Sequence, residues 1–165
     1  MLRGLLLAFA LFACAASATG KTTRAERILV DKSERTLYVF ADKKIVARFP
    51  IALGLQPVGH KEREGDNKTP EGRYILDWKK ANSDYYRAIH VSYPNAADIA
   101  HARKLGVSPG GAIMIHGQPN DPKVRRAVRV YPFRDWTYGC IALSNEDMQA
   151  LWDMVRVPTP IEIRA

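Results

Sequence analysis

The sequence predicts a mainly β single domain with helical insertions, arranged as a β-sandwich. Three observations carry this. Short apolar runs rich in β-branched residues recur through the first half, separated by turn-forming residues. Helix start and stop signals are confined to a few segments of the second half. A last short apolar run closes the chain.

The elements follow in order. Arg27 to Asp31 and Thr36 to Ala41 read as strands, and Ser33-Glu34 between them suits the tight turn of a hairpin. Lys44 to Leu53 reads as a third strand, reached through a turn at Asp42-Lys43. Pro50 within it marks an edge position or a bulge, because proline has no N–H for a ladder. Gly54 to Gly72 is rich in glycine, proline and charge and reads as a loop. Strands resume at Arg73 to Trp78 and Ala88 to Ser92. Asn95 to Leu105 reads as a helix, with Asn95 as cap and Gly106 as stop. Ala112 to Ile115 is a short buried strand, with His116 at its end. Asp121-Pro122 starts a short helix through Val130. Ser144 to Val155 is a helix with Ser144 as N-cap and Asp147 in a capping-box position. Its Met148, Leu151, Trp152 and Val155 form a core-facing stripe. Ile161 to Arg164 is the closing strand.

Residues 1–18 have the pattern of a signal peptide. Met1-Leu2-Arg3 is a basic start, Gly4 through Ala16 is apolar and small, and Ala16-Ser17-Ala18 is a small-x-small cleavage site. The apolar run is too short to span a bilayer. Cleavage there leaves one domain of about 147 residues, long enough to bury a core. Residues 19–25 read as a flexible lead-in and 26–165 as the domain. The expected location is the periplasm or cell envelope. Leu11-Phe12-Ala13-Cys14 loosely resembles a lipoprotein box, which makes lipid anchoring at Cys14 the alternative.

The formal charge of +8 favours an anionic partner or surface. It does not point to nucleic acid, because the basic residues are dispersed and no nucleic-acid module is visible. Neither a metal nor a cofactor is expected: His60, His90, His101 and His116 show none of the close spacings of a zinc site.

Without the leader, Cys140 is the only cysteine, so it has no disulfide partner within the chain. A thiol attacks as thiolate, and an imidazole in hydrogen-bond reach can take its proton and return it to a leaving group. His116 at a strand end, with Gly117 leaving room beside it, is the candidate base. Gly139 before the nucleophile lets backbone N–H groups approach an oxyanion. From the residue types alone, an inert buried cysteine and a satisfied histidine remain an equal alternative.

Ile115-His116-Gly117, Thr137-Tyr138-Gly139-Cys140-Ile141-Ala142-Leu143-Ser144-Asn145 and Thr69-Pro70-Glu71-Gly72 together resemble the signature of the YkuD-type L,D-transpeptidase catalytic domain. The resemblance spans about Glu26 to Arg164. It implies a YkuD-like β-sandwich and a cysteine acyl-enzyme route on peptidoglycan stem peptides. Cys140 is the implied nucleophile and His116 the base. The Gly117 carbonyl would orient the imidazole, and N–H groups around Tyr138 to Cys140 would hold the oxyanion. The acceptor is a second stem peptide, or a lipoprotein lysine, and the enzyme is expected to be a monomer. Tyr138 stands where histidine is common and Ala142 where arginine is common. These departures, with Asp135-Trp136-Thr137 and the long loop before Gly72, are similar to the YafK-like branch. Relatives there can hydrolyse instead, as an L,D-carboxypeptidase or an amidase releasing a lipoprotein. Thr137, Tyr138 and Trp136 are candidate substrate contacts, and Asp135 is the nearest second base for water.

Overall fold

The computed structural model describes residues 23–129 and 134–165. The leader at 1–18, Cys14, lead-in residues 19–22 and Val130 lie outside them. Ala25 is already part of the folded body: it is buried, and its N–H donates to the Met154 carbonyl at 2.9 Å.

Eight strands and three helices follow in the order β1 (Arg27–Asp31), β2 (Thr36–Ala41), β3 (Lys44–Pro50), β4 (Gly72–Ser83), β5 (Tyr86–Val91), α1 (Ala96–Leu105), β6 (Met114–His116), α2 (Pro122–Arg129), β7 (Ile141–Ala142), α3 (Asn145–Met154) and β8 (Thr159–Arg164). The strands form one sheet in the order β3-β2-β1-β8-β4-β5-β6-β7. The closing strand β8 is therefore central. It pairs parallel with β1 and antiparallel with β4.

Alternation decides which way the sheet faces. Leu37, Val39 and Ala41 of β2 and Ile161 and Ile163 of β8 point inward and are buried. Leu37, Val39, Ile161 and Ile163 join Ile89, Ile115, Ile141, Met148 and Leu151 in one apolar cluster. Each such side chain contributes about 1.5–3 kcal/mol on burial. That one cluster draws on β1–β3 and on β5–β7 shows that the sheet curls over its own core. The sandwich-like packing comes from a single continuous sheet.

Pro50 ends the edge strand β3, earlier than the pattern through Leu53 suggests. Residues 51–53 instead cross to the far end of the sheet. Ala52 and Ala142 exchange N–H···O bonds of 2.9 and 2.8 Å, so the chain leaving β3 clasps β7. β4 runs longer than the pattern shows, because two register shifts against β5 interrupt its alternation. β6 starts only at Met114, since Ala112 sits at φ +54 and breaks the extended backbone.

Both larger helices begin where the caps are. The Asn95 side chain accepts from the Ala97 and Asp98 N–H groups, Asp98 returns a bond to the Asn95 N–H, and Gly106 closes α1 at φ +68. Ser144 Oγ accepts from Asp147 N–H at the start of α3. Met148, Leu151 and Val155 are buried, while Trp152 packs on the core from its edge.

Candidate active site

β6 and β7 are the shortest strands of the sheet and carry the candidate chemistry. They pair parallel with Ile115 beside Ile141 and His116 beside Ala142. One step back, Cys140 lies beside Met114. Cys140 and His116 therefore share one face of the pair, offset by two residues, about 6.6 Å of strand rise.

The resting thiol contacts backbone. Cys140 Sγ accepts from the Met114 N–H at 3.4 Å and faces the Ala112 carbonyl at 3.7 Å. It makes no hydrogen bond to the imidazole. This differs from the direct contact expected above, and the two-residue offset is the cause. Such contacts often close only when substrate is bound.

His116 is buried, and its orientation is set from one side. Nδ1 lies 2.7 Å from the Gly117 carbonyl. A carbonyl only accepts, so Nδ1 carries the proton and the Nε2 lone pair is left open. Among the described residues every fully buried side-chain N or O has a partner. Nε2 has none among the described residues, so it is the ring atom not fully sealed off and its lone pair is free to accept. Tyr85 and Trp136 wall the imidazole, with ring centroids 4.7 and 5.6 Å away. Burial pushes the His116 pKa down to about 4. Burial also pushes the Cys140 thiol up, against smaller opposing effects of the Met114 N–H and the Lys61 charge. At neutral pH both partners are thus uncharged.

Gly117 does not leave room beside the histidine. An added Cβ would sit 2.7 Å from Asn145 Oδ1 and 2.9 Å from the Tyr86 Cβ. Its smallness admits Asn145, which accepts from the Gln118 N–H at 2.7 Å and ties β6 to the start of α3. Gly139 is needed twice over. It adopts φ +128, and a Cβ there would meet the Lys68 carbonyl oxygen at 2.7 Å.

The turn before the thiol is built by Thr137, which is buried. Its Oγ1 donates to the Cys140 carbonyl at 2.7 Å and accepts from the Gly139 N–H at 3.2 Å. The Gly139 donor is thus engaged. Among the described residues the N–H groups of Tyr138 and Cys140 have no partner and are free to donate.

Trp136 and Tyr138 separate. Trp136 packs edge-on against His116, whereas Tyr138 is 79% exposed and meets no other ring among the described residues. Asp135, the candidate second base, is occupied. It accepts from Arg35 Nη2 at 2.7 Å, from Arg35 Nε at 3.1 Å and from the Leu53 N–H at 2.8 Å. Its role is to hold the loop. Beyond the ring wall formed by Trp136, a cavity of about 520 Å³ opens between Gln118, Ala142, Leu143 and the Glu34–Arg35 turn. Among the described residues no group of three His, Cys, Asp or Glu side chains converges as a metal site.

Sequence reasoning missed Tyr85, because the β4–β5 turn it occupies carries no motif. It also left out Gln118, whose amide donates to the Leu143 carbonyl at 2.6 Å and braces β7. Asn145 was visible only as part of the family pattern.

The chain is similar to known proteins. The YkuD L,D-transpeptidase catalytic domain matches residues 25–163. YafK of Escherichia coli (strain K12) is 30% identical over 134 residues, which cover 78% of this chain and 46% of YafK. The helical cell shape determining protein Pgp2 from Campylobacter jejuni superposes with a TM-score of 0.62 at 28% identity, over 86% of this chain and 48% of Pgp2. An L,D-transpeptidase from Mycobacterium smegmatis shares the fold, with a TM-score of 0.55 at 19% identity, over 86% of this chain and 59% of that one. The chain thus spans about half the length of the curated relatives it matches. With its Cys140 turn, its buried His116 and a match over nearly all described residues, the chain belongs to the YkuD L,D-transpeptidase family.

Proposed function

We propose that this protein is a cell-envelope L,D-transpeptidase acting through a Cys140 acyl-enzyme on peptidoglycan stem peptides. The observation that carries this reading is the paired geometry of His116. Nδ1 is fixed by Gly117, which leaves the Nε2 lone pair free, and the register of β6 against β7 puts His116 on the same face as Cys140.

The steps follow from the atoms. A stem peptide lies with the carbonyl of its L-centre against the thiol. His116 Nε2 takes the S–H proton as sulfur attacks that carbon. The N–H groups of Tyr138 and Cys140 stabilise the oxyanion. The C–N bond to the terminal D-alanine breaks, and the imidazolium returns its proton to the leaving amine. An incoming amine then attacks the thioester, loses a proton to Nε2, and releases the thiol. Because both partners rest uncharged, the proton moves during attack and no thiolate–imidazolium pair stands ready beforehand.

Transfer to an amine is favoured over hydrolysis by the state of Asp135. The carboxylate that could have served as a second base for water is bound to Arg35 and Leu53 N–H. The acceptor amine comes from a second stem peptide or a lipoprotein lysine. We place the protein in the periplasm as a monomer. Pgp2 is named for cell shape, and a role in wall remodelling fits the same chemistry. Muropeptides incubated with excess D-amino acid should exchange their terminal residue. A tripeptide product without exchange would establish carboxypeptidase activity instead, and release of a lipoprotein from sacculi would establish the amidase.

A further inference from the structure

The β1–β2 turn lies far from Cys140 in sequence, yet its two cations reach both loops that form the catalytic turn's surroundings. Lys32 is buried. Its Nζ donates to the carbonyls of Gly59 at 2.7 Å and Thr69 at 3.1 Å and to Glu71 Oε1 at 2.7 Å. It thereby gathers the two ends of the Gly54–Gly72 loop. That loop presses the Lys68 carbonyl against Gly139, and Thr69 Oγ1 holds the Gly54 N–H at 3.0 Å. Arg35 grips the other loop through Asp135. Asp135 is fixed to Leu53, and the N–H groups of Trp136 and Thr137 both reach the Leu53 carbonyl, at 3.2 and 3.1 Å. Thr137 then sets the Gly139–Cys140 turn.

Arg35 itself adopts φ +50. Glycine or asparagine holds that conformation at lower cost, and an ordinary L-residue there loses about 1–2 kcal/mol. The turn that presents Arg35 is rigid: Asp31 Oδ1 accepts from Ser33 Oγ at 2.7 Å and from the Glu34 N–H at 3.0 Å, and Arg164 holds Oδ2 at 2.8 Å.

We infer that Arg35 and Lys32 are positioning residues of the thiol site. Together they fix the spacing of the two loops that meet at Gly139, and hence the aim of the Tyr138 and Cys140 N–H donors and of Trp136 on His116. The inference rests on Cys140 being the working thiol, and its test separates the two ideas. The full chain is acylated with a carbapenem, and the rate of Cys140 modification is followed by intact mass at several inhibitor concentrations. Iodoacetamide, which needs no oxyanion donors, is the control, with the unfolding midpoint measured in parallel.

Arg35→Met should slow the maximal acylation rate by about 10²-fold, the scale of a 1 Å misplacement. Its half-saturating concentration and its iodoacetamide rate should stay within about twofold of wild type. Arg35→Lys, which keeps one charged donor, should recover part of the rate. Asp135→Asn keeps an acceptor for the Leu53 N–H and loses only the charged grip. It should match Arg35→Met, and the double variant should be no worse than either single. Lys32→Met should show the same split between the two reagents. Acylation within twofold of wild type in both Arg35→Met and Asp135→Asn would overturn the inference. So would a parallel fall in both reagents together with the unfolding midpoint, which would mark a purely structural role. A wild-type chain that is not acylated at all would instead remove the thiol reading on which the inference rests.

Discussion

The β1–β2–β8–β4 part of the sheet and the β6–β7 pair obey different rules. The first is built from strands of five to twelve residues whose alternation faces Ile28, Leu37, Tyr74, Ile161 and Ile163 inward. The β6–β7 pair has strands of three and two residues. It could not hold its shape alone. A buried histidine and an uncharged thiol lie there, with Gly139 at φ +128 just before the thiol. Its shape is held from outside, by Ala52 on Ala142, Leu53 on residues 135–137, Lys68 on Gly139 and Asn145 on Gln118. The long strands supply a rigid frame, and the short ones use it to keep an unfavourable local geometry at the chemistry.

Substitutions can pull the two regions apart. The largest effect on activity with the smallest on folding belongs to Cys140→Ala. Turnover should vanish while the unfolding free energy moves by less than about 1 kcal/mol, measured by product analysis and denaturant unfolding. His116→Ala should depress acylation by about 10²–10⁴-fold, read by stopped acylation assays. A variant that acylates at wild-type rate would take His116 out of the reaction. Ile161→Ala, in the frame, should do the reverse. It should cost about 2–5 kcal/mol of stability and leave the rate of the folded fraction unchanged.

Acid should reveal the buried imidazole. The His116 pKa is about 4 in the fold, below its ordinary value of about 6.5. Between those values the unfolded chain takes up a proton that the native site refuses. Stability from this group is therefore complete above about pH 6.5 and is lost as the pH falls towards 4, by up to about 3 kcal/mol. His116→Gln should flatten that part of the pH–stability curve; an identical curve would mean the ring is not held neutral. The smallest effect concerns α1: Asn95→Ala removes a cap and should cost about 1 kcal/mol with no change in acylation.

Legibility in the sequence divides along the same line. β1, β2, α1 and α3 could be read because alternation and caps are local: Leu37-x-Val39-x-Ala41, Asn95 with Gly106, Ser144 with Asp147. His116 and Cys140 could be found because a lone thiol and a strand-end histidine carry a chemical signature of their own. What surrounds them could not. Asp135 looked like a free base because its partner Arg35 lies 100 residues away. The thiol looked as if the histidine would lower its pKa, because burial and the two-residue offset of β6 and β7 leave no trace in spacing. Gly117 looked like room beside His116 and is space for Asn145. Single-sheet closure through Ala52 and Ala142 was hidden for the same reason, since one isolated bridge has no pattern.

The claim on which everything else depends is that Cys140 carries the acyl group. The direct measurement is an acid quench of enzyme with tetrapeptide muropeptides during turnover, followed by intact mass and peptide mapping. We expect an adduct equal to the substrate less its terminal D-alanine, located on the peptide containing Cys140, lost in Cys140→Ala and discharged by added amine. Continued turnover by Cys140→Ala, with no adduct on the wild-type chain at any quench time, would contradict the account.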